Sequence, residues 1–263
     1  MYGGTFINIG CIPSKTLVHD GIEGASFGEA FSRKNEVVSA LNNKNYNNLA
    51  SIENIDILDY KAKFISNNEI ALLDEAGNVK NRLTGDKIVI NTGAQANIPN
   101  IKGIDTTKNI YDSTGLLNID FQPQELVIVG GGYIALEFAS MFSNLGSNVT
   151  VLEYGNVMMP REDREVAELA IQDLRNKGIS VYTNVETTAF SNEGDATIVH
   201  TNQGDFKSDA ALLATGRKPN TDGLGLENTD INIGQHGEIV VNDKLQTTVE
   251  HIYAAGDVKG GLQ

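Results

Sequence analysis

An α/β fold with two parallel-sheet halves is predicted by three features of this 263-residue sequence. From Leu126 to Glu153 an apolar run, a glycine-rich turn, a helical pattern and a second apolar run follow one another. Two further apolar runs, Lys87 to Ile90 and Ala210 to Ala214, both lead into Thr-Gly, at Thr92-Gly93 and Thr215-Gly216. Alternating segments with turn residues, in the stretches 54–91 and 186–207, read as small antiparallel inserts. The recurrence of a strand that exits into Thr-Gly suggests two similar nucleotide-binding halves. The expected fold class is two Rossmann-like three-layer domains, each with a small antiparallel β insert.

Along the chain, Ser14 to Val18 opens a helix behind an apolar loop punctuated by Gly3, Gly4 and Gly10. Phe27, Ala30, Phe31, Val37, Val38 and Leu41 keep helical spacing, and the Asn-rich stretch Asn42–Asn48 should fray or end that helix. Ile55–Ile57, Tyr60–Ile65, Ile70–Leu73 and Lys87–Ile90 read as short strands, with turns at Asn67-Asn68 and Ala76-Gly77. Gln122-Pro123 marks a domain boundary. A helix after Pro160 carries Val166, Leu169, Ala170 and Leu174 on one face and ends at Gly178. Ser180–Tyr182 is the next strand, 186–207 an antiparallel ribbon, and Ala210–Ala214 a buried strand. Ile239–Val241, Gln246–Thr248 and Ile252–Ala254 read as strands before Gly256-Asp257.

Composition narrows the function. Hydrophobic content of 40% and charged content of 21% suit a soluble globular chain, long enough for one large or two modest cores. A net charge of −14 without any basic cluster excludes nucleic acid as a partner. No apolar stretch reaches membrane-spanning length, and the first ten residues lack a basic region followed by an apolar core. No membrane partner is expected, therefore, and the expected location is cytoplasmic. The single cysteine, Cys11, excludes an intramolecular disulfide.

The stretch 126–153 carries the most specific chemistry. Gly130, Gly132 and Ala135 occupy the small positions of G-x-G-x-x-G/A. Gly130 permits the tight turn, Gly132 lets the backbone approach a pyrophosphate, and Ala135 lets helix and strand pack closely. The helix N-terminus offers unpaired N–H groups and the positive dipole end. Glu153 is placed to accept hydrogen bonds from a ribose diol. Strand, turn, helix, strand and acid in order make a dinucleotide site.

Three segments then resemble the FAD- and pyridine-nucleotide-dependent disulfide reductases, the family of glutathione reductase, dihydrolipoamide dehydrogenase and mercuric reductase. GGTFINIGCIPSK at 3–15 is similar to the redox motif GGTCxNxGCxPSK; VGGGYIALEFA at 129–139 is the nucleotide fingerprint. LLATGRKPN at 212–220 pairs with IYAAGDV at 252–258. KTLVHDG, RKNEVV, NIDI and PREDR are most similar to a bacterial branch that resists hypothiocyanous and reactive chlorine stress.

The resemblance implies an FAD-binding domain from 1–121 and 246–263 and an NAD(P)-binding domain from 122–245. It implies that the first FAD-binding strand–turn–helix and the C-terminal dimerisation domain of a homodimeric family are absent. Implied FAD residues are Gly4, Thr5, Lys15, Thr92, Gly93, Gly256 and Asp257. Implied NAD(P) residues are Gly130, Gly132, Tyr133, Ile134, Ala135, Glu137, Glu153, Thr215 and Gly216. Cys11, Lys15 and Glu137 are the implied catalytic set, with Lys15 and Glu137 paired near the flavin and Tyr133 gating the nicotinamide pocket. By resemblance Cys11 sits at a helix start, where the dipole favours a thiolate.

In that family hydride passes from nicotinamide to flavin and on to a disulfide beside it. Phe6 stands where the outer, substrate-attacking cysteine belongs, and a dithiol cycle cannot run on one sulfur. Glu153 would repel a 2′-phosphate, and no arginine follows it at Tyr154, Gly155 or Asn156, whereas Ala135 is commoner in NADPH users of the family. Charge conflict outweighs one methyl group, so the expected cofactors are FAD and NADH rather than NADPH. The expected activity is an oxidoreductase acting on a disulfide or small oxidant, impaired by Phe6. The alternative is a truncated nucleotide-binding fragment without catalysis. His19, His200, His236 and His251 are expected to be surface or packing residues.

Overall fold

Leu126, Val127, Ile128 and Val129 form the buried middle of a parallel sheet, as a run apolar on both faces demands. The computed structural model describes residues 2–261. Met1, Leu262 and Gln263, at the outer limits of the expected FAD domain, lie outside the described residues. Two compact units divide the chain: residues 1–48 with 96–216, and residues 49–95 with 217–263.

The first unit holds helices α1 (Gly4–Asn8), α2 (Cys11–Ile22), α3 (Phe27–Ala50), α4 (Ser113–Leu116), α5 (Tyr133–Asn144) and α6 (Arg164–Asn176). Its parallel strands are β6 (Ile110–Tyr111), β7 (Glu125–Val129), β8 (Asn148–Leu152), β9 (Ser180–Tyr182) and β13 (Ala210–Leu213). They lie in the order β6-β13-β7-β8-β9, with Leu126 opposite Val149 and Ala210. An antiparallel ribbon follows β9: β10 (Thr187–Glu193), β11 (Ala196–Thr201) and β12 (Gly204–Ser208).

Alternation along the sheet builds three layers. Leu126, Ile128, Val149, Val151 and Leu212 face the helices, meeting Phe138 and Phe142 of α5, Leu17 of α2 and Phe31 of α3. Val127, Val129, Leu152, Ala211 and Leu213 face the ribbon, meeting Phe190 and Val199. In α5 the buried residues Ala135, Phe138, Ala139, Met141 and Phe142 recur at helical spacing. Each fully buried large side chain contributes about 1.5–3 kcal/mol.

The second unit holds a meander, β1 (Lys61–Phe64), β2 (Glu69–Leu73) and β3 (Val79–Thr84), and a parallel pair, β4 (Ile88–Ile90) with β15 (Ile252–Ala254). A short pair, β5 (Ala94–Ala96) with β14 (Arg217–Pro219), stands beside two 3₁₀ turns, Leu226–Asn228 and Gly256–Lys259. Phe64, Ile90, Leu226, Ile239, Ile252 and Val258 make its core.

The α/β class with parallel strands and antiparallel inserts is as predicted; several elements differ. Helix α3 runs through Asn42–Asn48. Asn42 Nδ2 donates to Tyr2 O at 3.2 Å and Asn8 Oδ1 at 2.5 Å, and Tyr46 meets the Tyr2 ring edge-on, so tertiary bonds override poor propensity. Its start is a capping box, with the Ser26 amide donating to Glu29 Oε2 at 3.0 Å. Ile55–Ile57 is not a strand, and Ile55 N instead closes a turn onto Ile52 O. The wholly exposed β3 carries no alternation to reveal it, and is held by its ladder to β2.

In α6 the core-facing row is Ala167, Ile171 and Leu174, while Val166 and Leu169 are exposed. Asp163 fixes where that helix starts, its Oδ1 accepting the amides of Glu165 and Val166. Ile239 and Gln246 form only isolated bridges, to Ile233 and Tyr253. Helix α2 packs directly on α5, where a Cβ on Gly21 would come within 2.9 Å of Asn144 Cβ.

Candidate functional site

The glycine-rich turn joins β7 to α5. Gly130 has φ +116° and donates to Leu152 O at 2.8 Å; a Cβ there would lie 2.3 Å from Ala214 O. Only glycine tolerates both constraints. At Gly132, the N-cap of α5, a Cβ would meet nothing within 4 Å, and no side chain caps the helix. Uncapped amides and open space suit a diphosphate approaching the helix start. Ala135 is fully buried, and Ile134 packs half-buried on the helical core.

Glu153 follows β8 directly. Its Oε1 accepts the Gly155 amide at 2.5 Å, and its Oε2 would meet a Cβ on Gly131 at 2.6 Å. The carboxylate therefore lies over the turn, where a ribose diol would be met. Thr215 and Gly216 leave the neighbouring β13; Thr215 Oγ1 donates to Asn97 O at 2.7 Å and Asn97 N to Gly216 O at 2.9 Å. One edge of the sheet thus gathers Gly130, Gly132, Ala135, Glu153, Thr215 and Gly216.

The redox segment belongs to the same unit. Cys11 is the exposed first residue of α2, and Gly4 and Thr5 open α1. Lys15 and Glu137 form an ion pair between α2 and α5, with side chains 60% and 41% exposed. Buried Ser14 donates to Glu137 Oε2 at 3.3 Å. Phe6, on α1, is 58% exposed, an unfavourable place for so apolar a ring.

In the second unit Thr92-Gly93 and Gly256-Asp257 follow the paired parallel strands β4 and β15. Asn220 ties the first turn down: its amide donates to Gly93 O at 2.9 Å, and its carbonyl accepts from Thr92 Oγ1 at 2.8 Å. Gly256 has φ +72°, and Asp257 stands half-buried in the following 3₁₀ turn.

Sequence reasoning missed Ser14, Asn97, Asn220 and Glu162, which hold site residues through hydrogen bonds. Ser14, Asn220 and Glu162 sat inside quoted motifs; Asn97 carried no local signal. His200 is more engaged than expected, with Ser191 Oγ at 2.8 Å from Nε2 and Asp205 Oδ1 at 2.9 Å from Nδ1. That atom order occurs in hydrolytic triads, but His200 and Asp205 are 34% and 60% exposed and bridge strands of the ribbon. Among the described residues no cluster of metal-ligating side chains occurs, and no helix is long and apolar enough to cross a membrane.

Comparison with known proteins shows the family. A family model described as pyridine nucleotide-disulphide oxidoreductase matches residues 1–263. The chain is 49% identical over 263 residues to the probable pyridine nucleotide-disulfide oxidoreductase RclA of Escherichia coli K12, covering 100% of this chain and 59% of that protein. It is 36% identical over 282 residues to dihydrolipoyl dehydrogenase of Bacillus subtilis, covering 99% and 60%. Against mercuric reductase of Bacillus cereus it is 32% identical over 282 residues, covering 99% and 44%. These relatives are thus matched over 44% to 60% of their own length.

Among solved structures, the HOCl-induced flavoprotein disulfide reductase RclA from Escherichia coli superimposes with a TM-score of 0.95 at 48% identity, over 100% of this chain and 59% of that one. LpdA of Mycobacterium tuberculosis shares the fold at a TM-score of 0.86 and 24% identity, over 99% and 60%. This chain belongs to the pyridine nucleotide-disulphide oxidoreductase family.

Proposed function

We propose that this chain is the nucleotide-binding and flavin-facing part of an FAD-dependent oxidoreductase that takes reducing equivalents from NADH. The observation that carries the reading is the α5 N-terminus, uncapped and unobstructed at Gly132, with the Glu153 carboxylate beside it. Residues 122–245 would hold NADH through Gly130, Gly132, Tyr133, Ile134, Ala135, Glu137, Glu153, Thr215 and Gly216. Glu153 disfavours the 2′-phosphate of NADPH by like charge.

Residues 1–121 with 246–263 would serve the flavin. Lys15, held by Glu137, would present its ammonium to the ring; Gly4, Thr5, Thr92, Gly93, Gly256 and Asp257 would hold the rest of FAD. The bound flavin would supply the two-electron chemistry. Cys11 would stand at the flavin as a single thiol.

With Phe6 in place of the outer cysteine, a small oxidant rather than a disulfide is the proposed acceptor. The HOCl-induced character of the Escherichia coli relative supports an oxidant. A second reading, nucleotide binding without catalysis, is favoured by Phe6 alone. Visible flavin absorbance after incubation with FAD separates the two. A colourless protein that binds NADH would leave only the second. Calorimetric titration with NADH, with Gly132→Val as control, tests the nucleotide half, and unchanged affinity in that variant would remove the assignment.

A further inference from the structure

Among the described residues two charged side chains are buried, Asp20 and Lys34. Asp20 is answered by the Arg33 guanidinium and the His19 ring. Lys34, only 3% exposed on α3, has no acid partner among the described residues. An ammonium carries three N–H donors. One of them goes to Leu117 O, and no second acceptor among the described residues bonds this Nζ. Burial alone pulls the group below its ordinary value, as befits a cation without a countercharge. Two donors of a desolvated cation are thus left over, a costly arrangement unless something else meets them.

Lys34 also lines an open cavity of about 450 Å³ between the first half of α3 and the chain after α4, both in the first unit. That volume lies in the range of small-molecule sites. The Phe27 and Phe31 rings, stacked with centroids 4.1 Å apart, form its apolar wall. Lys34 Nζ lies 5.1 Å from the centre of the Phe31 ring, so cation and apolar wall adjoin. Exposed Asn35, Asn118 and Asp120 complete the rim.

We propose that this cavity binds a small monocarboxylate, its carboxylate on the free donors of Lys34 and its apolar body on Phe27 and Phe31. A carboxylate suits the site better than a neutral acceptor, because hydrogen bonds between charged partners are the stronger ones. One negative charge suits it better than two, because the Asp120 carboxylate on the same rim repels a dianion. No residue of the glycine-rich turn lines this cavity, so the site stands apart from the nucleotide and flavin reading.

Calorimetric titration of the full chain with benzoate tests the site. Benzoate should bind about tenfold tighter than benzamide, which keeps the ring and loses the charge, and tighter than inorganic phosphate by a similar factor. Lys34→Met should weaken benzoate by about tenfold or more. It should also abolish the rise in melting temperature that saturating benzoate gives the wild type. Asp120→Asn should tighten benzoate by up to about threefold, the effect of removing one exposed like charge.

Absent benzoate binding, equal affinity for benzamide, or phosphate bound as tightly as benzoate would overturn the proposal. So would unchanged affinity in Lys34→Met. Should Lys34→Met fail to fold, Asp120→Asn at its exposed position decides, and a weaker or unchanged affinity there overturns the site. Saturating NADH should leave benzoate binding unchanged. Displacement of benzoate by NADH would place it at the glycine-rich turn and overturn the separate site, whereas failure of NADH to bind would touch only the nucleotide reading.

Discussion

Lys15 and Glu137, separated by 122 residues in sequence, form an ion pair that ties helix α2 to helix α5, with Ser14 bonded to the same carboxylate. The pair joins the redox motif to the nucleotide fingerprint within one unit. Both side chains are substantially solvated, so their attraction is screened. Glu137→Gln should lower stability by no more than about 1 kcal/mol in urea unfolding. Its larger effect should be on FAD affinity, read by flavin fluorescence. A stability loss beyond about 2 kcal/mol would make the pair structural instead.

The two outer glycines of the turn should respond differently to one methyl group. Gly130→Ala places Cβ against Ala214 O in a left-handed conformation, and strain of that kind costs about 1–3 kcal/mol before the clash is counted. Gly132→Ala meets no atom at φ −89° and should fold as wild type, while its added methyl should weaken the proposed nucleotide contact. Thermal unfolding and NADH titration on the two variants check the contrast. Equal melting temperatures would contradict it.

Glu153 should set the choice of nucleotide. Replacing it with Ala removes the proposed ribose acceptor and the charge that would oppose a 2′-phosphate, so the proposed preference for NADH should narrow by about tenfold, or ~1.4 kcal/mol. Parallel titrations with NADH and NADPH measure it. An unchanged ratio would mean that other residues decide.

Lys34 is buried on α3, donating to Leu117 O and lying 5.1 Å from the centre of the Phe31 ring, with no acid partner among the described residues. Burial pushes its ammonium below its ordinary value. In the alkaline window between that lowered value and the ordinary one near 10.5, the unfolded chain binds more protons. The contribution of Lys34 to stability therefore rises with pH there, and its charge penalty is fully present below the window. Stability of Lys34→Met relative to wild type should fall as pH rises from neutral into that window. A pH-independent difference, measured by denaturant titration, would mean Lys34 stays charged.

Acid should weaken the capping box at the start of α3. The hydrogen bonds from Ser26 hold the Glu29 carboxyl below its usual range. A lowered carboxylate contributes above its unfolded value and loses that contribution as pH falls through the folded one. Glu29→Gln should flatten the acid limb of the stability curve slightly, since Glu29 is open to water. An unchanged limb would mean that the box is not held in solution.

What could be read locally was read well. The strand, turn, helix and acid of 126–153, the ribbon at 186–207 and the Thr-Gly exits each depend on neighbours in sequence, and each stands where expected. The misplaced elements had their cause elsewhere in the chain. Asn42–Asn48 stays helical because Tyr2 and Asn8 come to it, and the buried row of α6 depends on how that helix meets the sheet. Glu162 lies within PREDR at 160–164, but its hydroxyl partner lies 29 residues earlier.

By itself the sequence determined the fold class and the need for glycine at the turn. Backbone sterics at Gly130 and the alternation of buried strands act over a few residues. Only the tertiary structure decided that α2 packs on α5, that Lys15 reaches Glu137, and that Tyr133 donates to Glu162. Those contacts join segments far apart in the chain, and their geometry follows from which apolar faces the core brings together, a property that no single stretch of sequence contains.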